Sequence, residues 1–164
     1  MKEESQIISI EVEDKPGVMA RISSLFNRRG FNIASMTVAN TNIPGRSVFT
    51  MTVSGDEQIL EQIRKQCQKL IHVIKVEKLN QDSSVVAEFA LVMLKNTPKI
   101  DKLILANQSK FNIQVYTVTE EHLVMGVTNE PEKIDEFMEL LEEDSIERFI
   151  RSGKMALDLS LKNN

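Results

Sequence analysis

A short turn at residues 14–17 carries groups that could bind a small anion. It reads Asp14, Lys15, Pro16, Gly17, and it joins a strand-like segment to an amphipathic one. Free N–H groups at the start of a helix lie at the positive end of its dipole and suit an anion. Gly17 would let a ligand approach the backbone, and Pro16 would cost little at a first helical position.

Two polar side chains could complete such a site. The carboxylate of Asp14 can cap the helix or meet an ammonium group, and the amide of Asn32 offers two donors and an acceptor. The expected order of elements brings the start of the second strand, with Asn32, near the turn. A carboxylate and an ammonium on one small molecule describe an amino acid. An aspartate before Pro-Gly is also a common turn, so the residues alone leave both readings open.

The other reactive side chains do not form a catalytic set. Cys67 has the apolar spacing of one helix face, which favours a buried hydrophobic residue over a nucleophile. His72 and His122 stand at predicted strand edges, where surface or capping roles are expected. The sequence has no Cys and His cluster suited to a transition metal and no convergent acid–base groups. We therefore predict no catalytic residues and no metal ligands on this chain.

The composition is that of a globular protein. The chain has 164 residues, of which 41% are hydrophobic and 27% charged, and no apolar run approaches the ~20 residues of a membrane span. A formal charge of -4 argues against a nucleic-acid partner. The N-terminal stretch MKEESQIISI resembles neither a signal nor a transit peptide. We expect a cytoplasmic protein with no membrane partner, or a protein of the plastid stroma if it is plastid-encoded.

The first half has the periodicities of a βαββαβ unit. Alternating apolar residues predict strands near 8–12, 31–39, 47–54 and 72–78. One helix is predicted from the turn to Gly30, and Gly55-Asp56 opens another. The inward residues of the two helices are predicted to be Val18, Ile22, Leu25, Phe26, Ile59, Ile63, Cys67 and Leu70.

The second half repeats this order more loosely. Strands are predicted near 88–94, 112–119, 121–128, 145–150 and 155–161. Helices begin at Pro98 and at Glu130-Pro131, and a polar linker occupies 80–84. We therefore predict an α+β protein of two tandem ferredoxin-like βαββαβ domains, with residues 1–80 in the first and 81–164 in the second.

Three stretches carry a family resemblance. They are DKPGVMARISSLFNRRGFNIASMTVA at 14–39, GDEQILEQIRKQCQKLIHVIKVEKL at 55–79 and ERFIRSGKMAL at 147–157. The first half resembles an ACT domain, a module that senses amino acids. Together the stretches resemble the small, regulatory subunit of acetohydroxyacid synthase, also called acetolactate synthase. The resemblance spans nearly the whole chain.

The resemblance implies a regulatory function without catalysis. Such a subunit activates a catalytic subunit, on which thiamine diphosphate, Mg²⁺ and FAD are bound and two 2-oxo acids are condensed. It confers feedback inhibition by valine or another branched-chain amino acid, and its ACT domains form a homodimer with the effector at the interface. Carried over to this chain, the resemblance predicts effector-binding residues Asp14, Gly17, Val18, Met19, Asn32 and Ile33.

Departures and alternatives accompany this resemblance. The family often has asparagine in place of Asp14, whose charge would lie near the effector carboxylate. An Arg-Glu pair expected at 96–99 is absent.

The main alternative is an amino-acid-sensing ACT-domain regulator of transcription or metabolism, although neither half offers a basic recognition helix. An RNA-recognition module stacks bases on sheet aromatics, and this chain has no tryptophan and one tyrosine.

Overall fold

The computed structural model describes residues 5–80 and 83–160. The strands are β1 (Ser5–Glu13), β2 (Ile33–Asn40), β3 (Arg46–Ser54), β4 (Val73–Leu79), β5 (Ser84–Lys95), β6 (Ile113–Val118), β7 (His122–Asn129), β8 (Ile146–Arg151) and β9 (Met155–Asp158). The helices are α1 (Val18–Arg29), α2 (Glu57–Cys67), α3 (Pro98–Phe111) and α4 (Pro131–Glu139). None of the described helices has the length and apolar character needed to cross a membrane.

The chain divides into two compact units. One comprises the described parts of Met1–Val85 and Lys154–Asn164, and the other is Val86–Gly153. This division places the last strand, β9, with the first unit, although β9 pairs with β5, most of which lies in the second unit. The boundary was predicted between residues 80 and 81, and Gln81 lies outside the described residues. Leu161, the predicted end of the last strand, also lies outside them.

The first unit is a four-stranded antiparallel sheet in the order β2-β3-β1-β4. The central strand β1 pairs with β3 from Ser5 opposite Ser54 to Glu13 opposite Arg46. The edge strand β2 pairs with β3 as far as Asn40. This is the ferredoxin-like arrangement, and the predicted βαββαβ order is confirmed.

The core of the first unit lies between one sheet face and the two helices. Its buried residues are Ile8, Ile10, Val12, Val18, Ile22, Leu25, Phe26, Phe49, Met51, Val53, Leu60, Ile63, Cys67 and Val76. Helix α2 begins as predicted, because the carboxylate of Asp56 accepts a hydrogen bond from the N–H of Ile59 at 2.9 Å. Leu60 was not among the predicted inward residues, whereas Ile59 is only partly buried.

The second unit repeats the topology with the strand order β6-β7-β5-β8, and β9 also pairs with β5. Its core residues are Ala90, Val92, Leu94, Ile100, Ile104, Phe111, Ile113, Leu123, Met125, Val127, Ile134, Phe137 and Leu141. Helix α3 begins at Pro98, after Thr97 caps the N–H of Ile100 at 3.3 Å. Helix α4 begins at Pro131. Both predicted helix starts in this half are confirmed.

Candidate functional site

Backbone hydrogen bonds anchor the turn between β1 and α1. The N–H of Asp14 donates to the carbonyl of Gly45 at 2.8 Å, and the N–H of Glu13 donates to that of His72 at 2.9 Å. Lys15 donates back to the carbonyl of Glu13 at 2.9 Å. The end of β1 is thus fixed between the β2–β3 loop and the segment that joins α2 to β4.

The start of α1 presents unpaired backbone donors. Gly17 is the N-cap, and its φ of 84° lies in the left-handed region that glycine adopts without strain. The N–H of Val18 donates to Lys15 at 3.3 Å, and that of Arg21 donates to Gly17 at 3.1 Å. The two N–H groups between these have no backbone acceptor in the described part of the chain. They are therefore available to an anion.

At this turn one expectation is wrong and one of two open alternatives is excluded. Pro16 is not a first helical residue, because it precedes the N-cap Gly17 and the helix begins at Val18. Asp14 does not cap the helix, since no side chain hydrogen-bonds to its N-terminus. The side chain of Asp14 is exposed and hydrogen-bonds to no residue in the described ranges. Its carboxylate remains accessible to a ligand or to solvent.

The two apolar residues predicted at the helix start have different surroundings. Val18 is 4% exposed and belongs to the core of the first unit. Its side chain is therefore committed to packing, and only its backbone faces the turn. Met19 is 49% exposed and has a flexible apolar side chain next to the free N–H groups. Of the two, Met19 is the residue able to offer apolar contact to a ligand.

Asn32 and Ile33 lie at the opposite end of the sheet from the turn. The carbonyl of Asn32 accepts from the N–H of Ser54 at 3.4 Å, and Ser54 is paired with Ser5 at the start of β1. The turn instead follows Glu13 at the end of β1. The nine residues of β1 separate these levels by about 26 Å at ~3.3 Å per residue. The expectation that one chain brings Asn32 near the turn is therefore wrong.

A histidine–glutamate pair beside the turn was not predicted. Nδ1 of His72 lies 2.8 Å from Oε2 of Glu13, the last residue of β1. His72 adopts a φ of 74°, which is rare for residues other than glycine. The sequence placed His72 at a strand edge, and this position is correct. No sequence pattern signalled the left-handed backbone or the contact with Glu13.

The remaining titratable groups of note are a buried thiol and a surface histidine–glutamate pair. Cys67 is fully buried, and this burial raises the pKa of its thiol to about 11. The thiol is therefore protonated at neutral pH, and the prediction of a buried hydrophobic residue is confirmed. Nε2 of His122 lies 2.8 Å from Oε2 of Glu147 on the surface of the second unit. The described residues contain no group of three or more His, Cys, Asp or Glu that could hold a metal ion.

Both halves of the chain match models of one protein family. The family model for the AHAS small subunit-like ACT domain matches residues 8–75, which defines the first unit as a regulatory ACT module. The model for the small subunit of acetolactate synthase matches residues 87–160. This chain belongs to the family of acetolactate synthase small subunits. The predicted family is confirmed.

Individual relatives agree over nearly the full length. The chain is 39% identical over 158 residues to a probable acetolactate synthase small subunit of Methanothermobacter thermautotrophicus, covering 96% of this chain and 94% of the relative. It is 40% identical over 150 residues to the acetolactate synthase small subunit of Mycolicibacterium smegmatis, covering 92% of this chain and 88% of that relative. The solved structure of the acetolactate synthase small subunit of Thermotoga maritima matches with a TM-score of 0.86 at 32% identity. The match covers 94% of this chain and 97% of that one.

Membership in this family fixes the general role. The chain is a regulatory small subunit of acetolactate synthase, and a small subunit implies a catalytic subunit as its partner.

Proposed function

We propose that this chain binds valine or another branched-chain amino acid and transmits its feedback inhibition to the catalytic subunit, which the chain also activates. The observation that carries the proposal is the pair of free N–H groups after the N-cap Gly17. They lie at the positive end of a helix, where the carboxylate of an amino acid is stabilised. In this proposal the chain binds the amino acid, and thiamine diphosphate, Mg²⁺ and FAD bind to the catalytic subunit.

The other groups at the turn suit the rest of an amino acid. The exposed carboxylate of Asp14 can meet an ammonium group at the same end of the helix that receives the carboxylate. The exposed Met19 can contact an apolar side chain. One methylene in an apolar pocket changes the binding free energy by only ~1–3 kcal/mol, so the residues favour the branched-chain class without choosing among its members.

A second copy of the chain would complete the proposed site. Strand β2 is an edge strand, and its unpaired side is available to another β2. Antiparallel pairing about a twofold axis would place the start of one β2 beside the end of the other. The end of β2 is level with the end of β1, because Asn40 and Val12 both pair with Ser47. Asn32 and Ile33 of one copy would therefore approach the turn of the other.

Reconstitution tests this proposal. The purified chain and the catalytic subunit from the same organism are assayed for acetolactate formation separately and together, with thiamine diphosphate, Mg²⁺ and FAD supplied. We expect no product from the chain alone, a faster rate from the mixture, and inhibition of the mixture by at least one of valine, leucine and isoleucine. A mixture that is neither faster nor amino-acid-sensitive would rule out the proposed function.

A further inference from the structure

We propose that His72 is a positioning residue for the amino-acid site. It holds Glu13, and through Glu13 the turn at residues 14–17, in the conformation that leaves the N–H groups of α1 free. This inference rests on the proposed function, since it concerns the regulation of the same site.

The first observation is the backbone of His72. The described residues other than glycine that have a positive φ are His72, at 74°, and Asn112, at 52°. Asn112 is the C-cap of α3, a position at which asparagine is common in this conformation. His72 instead lies between α2 and β4, where a positive φ is uncommon for a residue other than glycine, although histidine adopts it more often than most. Sparsely populated backbone conformations concentrate at binding and switch regions, which directs attention to what His72 contacts.

The second observation is that His72 contacts one residue twice. Its carbonyl accepts the N–H of Glu13 at 2.9 Å, and its ring Nδ1 lies 2.8 Å from the carboxylate of Glu13. The carbonyl of Glu13 in turn accepts the N–H of Lys15 at 2.9 Å. A continuous set of hydrogen bonds therefore runs from His72 into the turn, two residues before the N-cap Gly17.

The third observation is the register of β1 against β4. The pairing shifts between Glu11 and Val12 and then ends with Val12 opposite Val73. Irregularities of this kind re-aim the chain and occur next to functional sites. The contact of His72 with Glu13 adds one residue of β1 beyond this last pair. It joins the residue that precedes β4 to the residue that precedes the turn.

The contact between His72 and Glu13 is partly exposed, so its loss can change the geometry of the turn with little effect on the stability of the unit. The side chain of His72 is 32% exposed and that of Glu13 is 49% exposed. Exposed pairs contribute little to the stability of a fold. Loss of the ring should therefore leave the unit folded, and a change in effector response would report on the geometry of the turn.

The test measures valine inhibition of the reconstituted enzyme. His72→Gly keeps the left-handed backbone and removes the ring, and we expect it to raise the half-inhibitory concentration of valine, or of whichever branched-chain amino acid inhibits the parent, by about tenfold. The uninhibited rate should not change. His72→Asn should stay close to the parent, because asparagine tolerates this backbone and its amide can still donate to Glu13. Glu13→Ala removes the other partner and should match His72→Gly.

His122→Gly is the matched control. It breaks a histidine–glutamate contact of the same 2.8 Å length in the second unit and should leave inhibition unchanged. Parental inhibition in both His72→Gly and Glu13→Ala would overturn the inference, as would an equal loss in His122→Gly. If His72→Gly fails to fold, the curve for Glu13→Ala decides. A parent enzyme that responds to no branched-chain amino acid would overturn the proposed function itself, and this inference with it.

Discussion

Substitutions of Gly17 can distinguish a ligand site from an ordinary turn. A Cβ added there would meet nothing within 4 Å, so the replacement of Gly17 is limited by its φ of 84° rather than by space. Asparagine and aspartate tolerate this conformation better than other residues. The two are nearly isosteric and differ in charge, so they form a matched pair of substitutions at this position.

We expect Gly17→Asp to abolish valine inhibition and Gly17→Asn to retain most of it. The new carboxylate would stand where the ligand carboxylate binds, and two like charges at ~4 Å repel by about 1 kcal/mol in water and about 4 kcal/mol at an effective dielectric near 20. Allosteric coupling is typically ~1–3 kcal/mol, so this loss is enough to remove feedback. Inhibition curves and uninhibited rates of both reconstituted variants provide the measurement. Equal valine sensitivity in the two variants and the parent would show that the turn binds no effector.

At this scale the sequence predicted local features well. The capping by Asp56 follows from residue types a few positions apart, and the burial of Cys67 follows from helical spacing. The failed cap at Asp14 depends on where the helix begins, which the left-handed Gly17 determines. The conformation of His72 arises from the path between α2 and β4, a tertiary requirement that leaves no pattern in neighbouring residues.

At the scale of elements, strand β2 is the proposed dimer edge. Val38 on β2 is 40% exposed, and Ile74 on the opposite edge strand β4 is 42% exposed. We expect Val38→Lys to weaken the dimer and the valine response together, because charged side chains on an edge oppose strand pairing. Ile74→Lys is the control and should change neither. Sedimentation equilibrium and inhibition curves measure the two effects.

A Val38→Lys variant that remains a dimer with parental valine sensitivity would exclude pairing through β2. Dissociation of the Ile74→Lys control would instead move the interface to the other edge of the sheet. If Val38→Lys is monomeric and still fully sensitive to valine, the effector site lies within one chain, and Asn32 takes no part in it.

Periodicity predicted the helices and strands but not which ends of neighbouring strands lie side by side. Strand β2 runs parallel to β1 because both pair antiparallel with β3, so its start is level with the start of β1. The prediction that Asn32 lies near the turn followed the order of elements and overlooked this direction. The pairing of β2 also shifts between Ile33 and Ser35. As a result Ile33 and Met36 pack against the core, while Ala34 is exposed on the edge strand.

At the scale of the whole molecule, the last strand, β9, follows the second unit in sequence, pairs with β5 and also contacts β4 of the first unit. The matched family region at 87–160 includes β9, whereas the compact units assign Lys154–Asn164 to the first. The N–H of Leu159 donates to the carbonyl of Ser83 at 2.8 Å, within that unit. Sequence order could not reveal this return, because strands adjacent in space can be far apart along the chain.

A chain that stops after Gly153 tests this assignment. Removal of β9 should speed amide hydrogen exchange in β4 and at the start of β5, because β9 contacts β4, pairs with β5 and supplies the donor to Ser83. Strands β6 and β7 and the core beneath α3 and α4 should keep their protection, since they lie in the other compact unit. Leu159→Pro is the milder companion variant, because it removes the N–H donor and fixes one φ while the rest of β9 is kept, and it should raise exchange mainly near Ser83. Exchange measured by mass spectrometry distinguishes the outcomes. Loss of protection in β6 and β7, with β4 unchanged, would assign the last strand to the second unit.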